Sequence, residues 1–325
     1  MMIFALVGTT DTATYEMYPE CVPTGSGLEE EFSTLFNKVP RLHSRTSIVE
    51  LSGGLTNRNF LVETPDTKYV ARISSNSSSL LSIDRGSEFT NSTIAGKGGV
   101  GAEVLDYLPG EGLLLISYIK GKTYDAHDVG RNLPRIATSL RKLHSLDSFD
   151  HEFNMFQTQK NYLAIVQQQG FRIPSGYLDF APLVANIKQA FEVLFEGLVP
   201  CNNDLLPGNF IDDGEKIWLI DYEYSGNNDA CFEIGNVWAE AFLPLDSLEE
   251  LVTAYYGTYR PEKIARAWLW ALVAKYGWTL WASIQDSVSE IDFDFWDWGM
   301  SKYELAKSEF TSDYFKKALI TVTGK

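Results

Sequence analysis

The chain has little sulfur, little histidine and too few cations to balance its acids. Three cysteines in 325 residues, Cys21, Cys201 and Cys231, are too few and too scattered for a disulfide framework or a zinc site, which points to a reducing compartment. His43 and His144 show no metal-ligand spacing, and no Ser/His/Asp arrangement suggests nucleophilic hydrolysis. Lys and Arg number 27 against 43 Asp and Glu, a net charge of -16, which argues against nucleic acid or an anionic membrane as the main partner. A cationic substrate would suit such a surface. No uncharged stretch is long enough for a transmembrane helix. The opening MMIFALVG is short and lacks a basic flank, so neither membrane insertion nor a leader is expected and the cytoplasm is the expected location. Repeats are missing too, and the one biased tract, SSNSSSLLS at 74–82, reads as a loop.

What is present is core-forming material: 45% hydrophobic and 13% aromatic residues, enough for one large or two modest domains. The turn-rich stretch that follows the opening reads as an extension of about 40 residues, partly ordered at best. Ser47–Leu51, Asn59–Glu63 and Tyr69–Ile73 are rich in β-branched and aromatic residues between turn signals and read as strands. Asp84 to about Lys97 reads as a helix, and strands near Glu103–Tyr107 and Leu113–Tyr118 follow. From about residue 131 apolar residues recur at helical spacing, as in Leu133, Ile136, Ala137, Leu140 and Leu143, and again near 158–169, 179–196, 246–257 and 261–285. The reading is α+β and bilobal: a small antiparallel-sheet lobe over 1–118, a hinge near Ser117–Gly121, and a larger, mainly helical lobe over 119–325.

The most informative stretch is CNNDLLPGNFIDDGEKIWLIDYE, residues 201–223. It sets out Asp204, Asn209 and Asp221 in the order a kinase-like phosphotransferase needs: an acid to take a hydroxyl proton, then an amide and a second acid to hold Mg²⁺ from two sides. Apolar runs on both sides of Asp212-Asp213-Gly214-Glu215 read as a hairpin carrying the two metal ligands to one edge. A solvated acidic loop would use the same turn residues, but it has no reason to keep that spacing.

Other constellations fall around it. Gly53-Gly54, followed by Thr56 and Asn57, joins the first two strands and would let backbone approach phosphates, although such a pair alone is an ordinary hairpin turn. Arg72 sits among Val70, Ala71 and Ile73, where a buried cation needs a partner, and Glu88 is the obvious one. Ser117, Tyr118 and Ile119 would offer backbone groups to an adenine. Trp278 and Trp281, three apart on a helix, share a face that Trp298 and Glu240 could complete as a cage for an ammonium; periodicity alone favours ordinary core packing.

Together, LSGGLTNRNFLVE, KYVARIS, the Arg85–Glu88 region, NNDLLPGN, LIDYEYSG, FEIGNVWAE and WTLWASIQ resemble, in order, the choline/ethanolamine kinase family within the aminoglycoside-phosphotransferase-like, protein-kinase-like fold. The resemblance implies ATP as co-substrate and Mg²⁺ as cofactor. It implies Asp204 as catalytic base, with Asn209, Asp221 and Glu223 at the metal. Arg72 and Glu88 would grip the phosphates, and Trp278, Trp281, Trp298 and Glu240 would form the amine pocket. The implied reaction is phosphorylation of choline, with ethanolamine or another amino alcohol or sugar as the alternative acceptor and a non-catalytic binding protein less favoured. Asp221-Tyr222-Glu223 lacks the glycine of a protein kinase. The implied partner is a small amino alcohol, with a homodimer as the one assembly left open. Asn202 stands where the family usually has histidine, and an asparagine there keeps the ability to hydrogen-bond.

Overall fold

Alternation of apolar and polar residues builds the first lobe. In the computed structural model, which describes residues 26–51, 54–74, 80–193 and 195–324, the strands β1 (Ser47–Leu51), β2 (Asn57–Glu63) and β3 (Lys68–Ser74) are joined by β4 (Val104–Leu108) and β5 (Leu113–Ser117). They form one antiparallel sheet in the order β1-β2-β3-β5-β4. Phe60, Val62, Ala71, Leu113 and Leu115 point to one face and are buried there, as a period of two requires. Gly53, the first 25 residues and 75–79 of the expected loop lie outside the described residues.

The structure departs from the expected N-terminal extension. Helix α1 (Ser26–Phe36) closes the sheet's core, with the Phe32 ring 4.7 Å and the Phe36 ring 6.2 Å from Phe60. Leu28, Phe32, Leu35 and Phe36 recur at helical spacing, a signal masked by the Gly, Ser and Pro just before it. Helix α2 (Arg85–Lys97) starts where Asp84 caps the N–H groups of Gly86 and Ser87, at 2.8 and 3.0 Å, which places Glu88 in the first turn and buries it.

β5 ends at Ser117, and the next strand, β6 (Lys122–Thr123), already pairs with the second lobe through β8 (Phe210–Asp212). β8 and β9 (Ile217–Leu219) are the expected hairpin, with Asn209 and Asp221 just beyond its two open ends. A two-stranded pair, β7 (Val199–Cys201) with β10 (Gly226–Asn228), flanks the stretch that carries Asp204. Along the chain the helices are α3 (Ala126–Arg131), α4 (Leu133–His144), α5 (Met155–Gln169) and α6 (Ala181–Ala190), then α7 (Ala230–Glu240) and α8 (Leu245–Tyr256), then α9 (Pro261–Val288), α10 (Phe295–Phe310) and α11 (Asp313–Thr323). α9 is buried from Lys263 to Gln285 without a break, because α5, α7, α8, α10 and α11 all pack on it. A helix enclosed on every side has no polar face to mark it. Its buried cations are each paired with a neighbouring acid: Lys263 with Glu196, Arg266 with Asp229 and Lys275 with Glu309. Among the described residues no helix is long and apolar enough to cross a membrane.

Candidate active site

The segment that carries Asp204 is held by backbone hydrogen bonds rather than by packing alone. Glu233, fully buried in the first turn of α7, accepts the N–H groups of Asn202 and Asn203 on one oxygen, at 2.5 and 2.9 Å. Its other oxygen meets His144 Nε2 at 2.5 Å, and His144 Nδ1 reaches the Tyr255 hydroxyl at 2.7 Å. The Asn202 side chain donates to the carbonyls of Ile220 and Asp221, at 3.1 and 2.7 Å, and accepts from the Asp204 N–H at 3.0 Å. One asparagine thus ties the loop of Asp204 to the loop of Asp221. Asn203 and Asp221 adopt the left-handed backbone, at φ 69° and 64°, a conformation that asparagine and aspartate tolerate better than other side chains. Neither Glu233 nor His144 was singled out from the sequence as part of the site. The signal available was an acid in the first turn of an unassigned helix, and that is common. His144, Cys201 and Glu233 also lie close enough together to hold a metal. Their mutual hydrogen bonds and the loop N–H groups account for them instead.

Asp204 stands half-buried after this anchor. Desolvation raises its carboxyl well above the usual range, and the charges of Asp221, Glu223 and Glu240 push the same way while Lys302 opposes them. Asn209 donates its amide to the Asp204 carbonyl at 2.7 Å. Across the cleft, Arg72 Nη2 bonds Asp221 Oδ1 at 2.6 Å and Glu88 Oε1 at 3.2 Å, so the strand cation and helix acid read from the sequence do meet. Arg85 bridges Glu88 and Glu223, at 2.6 and 3.3 Å. Glu223 accepts from Thr56 Oγ1 at 2.6 Å and Asn57 Nδ2 at 2.8 Å, which latches the β1–β2 connection to the second lobe. Gly54 is required there, since a Cβ would come within 2.4 Å of the Asn57 carbonyl oxygen. The Ser117 N–H is bonded to the Glu103 carbonyl at 2.8 Å, with exposed Tyr118 and half-buried Ile119 following it.

These groups fit a metal–nucleotide complex. A carboxylate and an amide oxygen are the hard donors Mg²⁺ prefers. Arg72 Nε and Arg85 Nε and Nη2 are buried donors without a hydrogen-bond partner, as expected where phosphate oxygens bind.

The aromatic side chains also converge. Trp278 packs edge-on to Tyr224, ring centres 5.1 Å apart, and the Tyr224 hydroxyl accepts from Trp281 Nε1 at 2.8 Å. Trp281 lies 5.4 Å from Trp298, while the Lys302 ammonium stands 4.3 Å from the Trp298 ring centre and 2.7 Å from both oxygens of Glu240. Beside Glu223 and Tyr224 opens a cavity of about 210 Å³, also lined by Leu81, Ser82, Asn154 and Tyr162 and by none of the three tryptophans.

A sequence profile of the choline/ethanolamine kinase family matches residues 48–251. The chain belongs to this family. A crystal structure of a choline/ethanolamine kinase family protein from Mesorhizobium loti superposes with a TM-score of 0.81 at 27% identity, covering 92% of this chain and all of that one. Protein LicA of Haemophilus influenzae is 27% identical over 221 residues, 66% of this chain and 64% of LicA. Ethanolamine kinase 2 of Rattus norvegicus is 34% identical over 133 residues, 34% of each chain. The fold is the kinase-like one, an antiparallel-sheet lobe against a helical lobe.

The acid cluster should make the ligand-free protein sensitive to pH. Burial, helped by Asp221 and Glu88 against Arg72 and Arg85, pushes the Glu223 carboxyl up to about 7. A carboxyl raised in the folded state stabilises below its unfolded value, and that contribution is lost as pH rises through the raised one. Melting temperature without ligands is therefore expected to fall between about pH 4.5 and about pH 7, with a shallower fall in Glu223→Gln. Equal slopes in the two proteins would show that Glu223 is not the responsible group.

Proposed function

We propose that this kinase-family protein transfers the γ-phosphoryl group of ATP to the hydroxyl of choline, giving phosphocholine and ADP. The observation that carries the choice of acceptor is the convergence of Trp278, Trp281 and Trp298 with Glu240, near enough to Asp204 for the Glu240 charge to act on it. A quaternary ammonium donates no hydrogen bonds and is held by ring faces and a compensating charge, which this group supplies.

In this reading ATP lies between the lobes, with Tyr118 and Ile119 beside the base and Thr56, Asn57 and Gly54 near the phosphates. Arg72, kept in place by Glu88, neutralises charge on the phosphate chain. Asn209 and Asp221 would hold Mg²⁺, with Glu223 as a further acid on that side. When bound, the metal draws charge from the phosphate oxygens and screens the acids around it. Asp204 orients the choline hydroxyl and accepts its proton as the phosphoryl group transfers in line. Positioning and charge neutralisation supply most of the rate, as in other phosphoryl transfers.

Ethanolamine is the second reading, supported by the partial match to an ethanolamine kinase and by the Glu240 carboxylate, which a primary ammonium could hydrogen-bond. The deciding experiment is Mg²⁺-dependent ADP release with choline, ethanolamine and an aminoglycoside. Choline-dependent turnover is expected, and turnover confined to another acceptor would overturn the choice. Trp281→Ala should weaken choline binding by about 1–2 kcal/mol, read as a rise in KM. An unchanged KM would remove Trp281 from the pocket.

A further inference from the structure

The cation position of this pocket is already taken by the protein itself. Lys302, on α10, donates to both oxygens of Glu240 at 2.7 Å and places its ammonium 4.3 Å from the Trp298 ring centre. These are the two contacts, carboxylate and aromatic face, that a substrate ammonium would make. Nothing about the pair is a surface accident, since Lys302 is 3% and Glu240 7% exposed, and Trp278 and Trp281 are 4% and 5% exposed. In this arrangement the Glu240 carboxylate and the Trp298 ring already share one cation, Lys302.

The geometry points to Lys302 as an internal competitor that sets acceptor affinity: its ammonium occupies the amine site, and a substrate ammonium binds by displacing it. This rests on the amine-pocket reading above. Lysine suits the task, being a compact point charge on a stem with four rotatable bonds, whereas arginine's planar fork would be harder to move. The consequences are quantitative. Apparent affinity is the intrinsic affinity multiplied by the fraction of molecules with the site vacated. Every cation that takes the site meets the same displacement cost, because that cost belongs to the free protein. Lys302 therefore lowers affinity for choline and ethanolamine by the same factor and leaves their ratio unchanged.

The test is equilibrium binding of choline and of ethanolamine to the full chain with Mg²⁺ and ADP, by calorimetry, in Lys302→Met, Lys302→Arg and the parent. Methionine keeps the length of the stem without its charge. Lys302→Met is expected to bind both amines about tenfold tighter, as it would if the parent vacates the site about a tenth of the time. Lys302→Arg, which restores a cation, should bind no tighter than the parent. Should leaving Glu240 unpaired prevent Lys302→Met from folding, the double variant Lys302→Met, Glu240→Gln removes both charges and is measured against Glu240→Gln alone; tighter binding by the double variant supports the competition, and equal affinities overturn it. Unchanged or weaker binding in a folded Lys302→Met overturns the inference, as does a gain for one amine only, which would put Lys302 in the bound complex. Trp281→Ala, run alongside, separates the two failures. If it weakens choline binding while Lys302→Met does nothing, the pocket stands and the competitor falls; if neither matters, the pocket assignment itself has failed.

Discussion

Asp204→Asn is expected to lower turnover by about a hundredfold to ten-thousandfold, the range general-base catalysis supplies. Asparagine matches the shape of aspartate but cannot take the hydroxyl proton. The loop around it does not depend on the carboxylate: the Asp204 N–H is bonded to Asn202 Oδ1, and its carbonyl accepts from Asn209 and from the Leu206 N–H. All of these are backbone groups of residue 204, which the substitution leaves in place. The variant should therefore still bind nucleotide, and it should melt no lower than the parent. A carboxylate that desolvation and three neighbouring acids push well up in pKa is a charge the folded state holds at a cost. Removing it exchanges activity for stability, as expected of a side chain retained for chemistry. Steady-state ADP release and thermal melts, measured on the same preparation, check both halves. A variant that turns over at the parent rate would sink the base assignment, and one that melts far lower would mean that Asp204 is structural.

What could be read from the sequence follows the range of each interaction. The strands of the first lobe and the hairpin bearing Asn209 and Asp221 are set by alternation and turn chemistry, which are local, and they stand within a residue or two of where they were expected. The Arg72–Glu88 pair was legible because burial of a cation in a strand demands an acid nearby. The pocket needed more. Trp278 and Trp281 lie on α9, which is buried all round, so periodicity could not separate cage from core. Lys302 gave no signal at all, since a lysine in a helix is ordinarily solvated; only the fold brings it onto Glu240, 62 residues away. The ties of Glu223 to Thr56 and Asn57 are equally non-local, joining two lobes across more than 160 residues. α7 was missed as a helix, although it supplies both Glu233 and Glu240.

That helix carries the other large effect. Glu233 and Glu240 lie seven residues apart, about 10 Å along α7 at 1.5 Å per residue, so one rigid element anchors the loop of Asp204 at one end and carries the acid of the proposed amine pocket at the other. It is pressed onto α9 at Gly235, where a Cβ would come within 2.1 Å of the Ala267 carbonyl oxygen, and so cannot slide without unpacking the central helix. Glu233→Ala is expected to destabilise the protein by about 3–5 kcal/mol, since it strands several buried hydrogen-bonding groups at about 1–3 kcal/mol each. It would leave the N–H groups of Asn202 and Asn203 and the His144 imidazole without their acceptor, all inside the protein. Glu233→Gln keeps one carbonyl oxygen for the two N–H groups and should lose less than half as much. Denaturant unfolding of the three proteins reads this directly. Because the same contacts position Asp204, turnover in the glutamine variant should fall while affinity for the acceptor, whose proposed pocket lies at the far end of α7, stays near the parent value. A stability loss under about 0.5 kcal/mol for Glu233→Ala would place it with ordinary surface substitutions and end the case for an anchor.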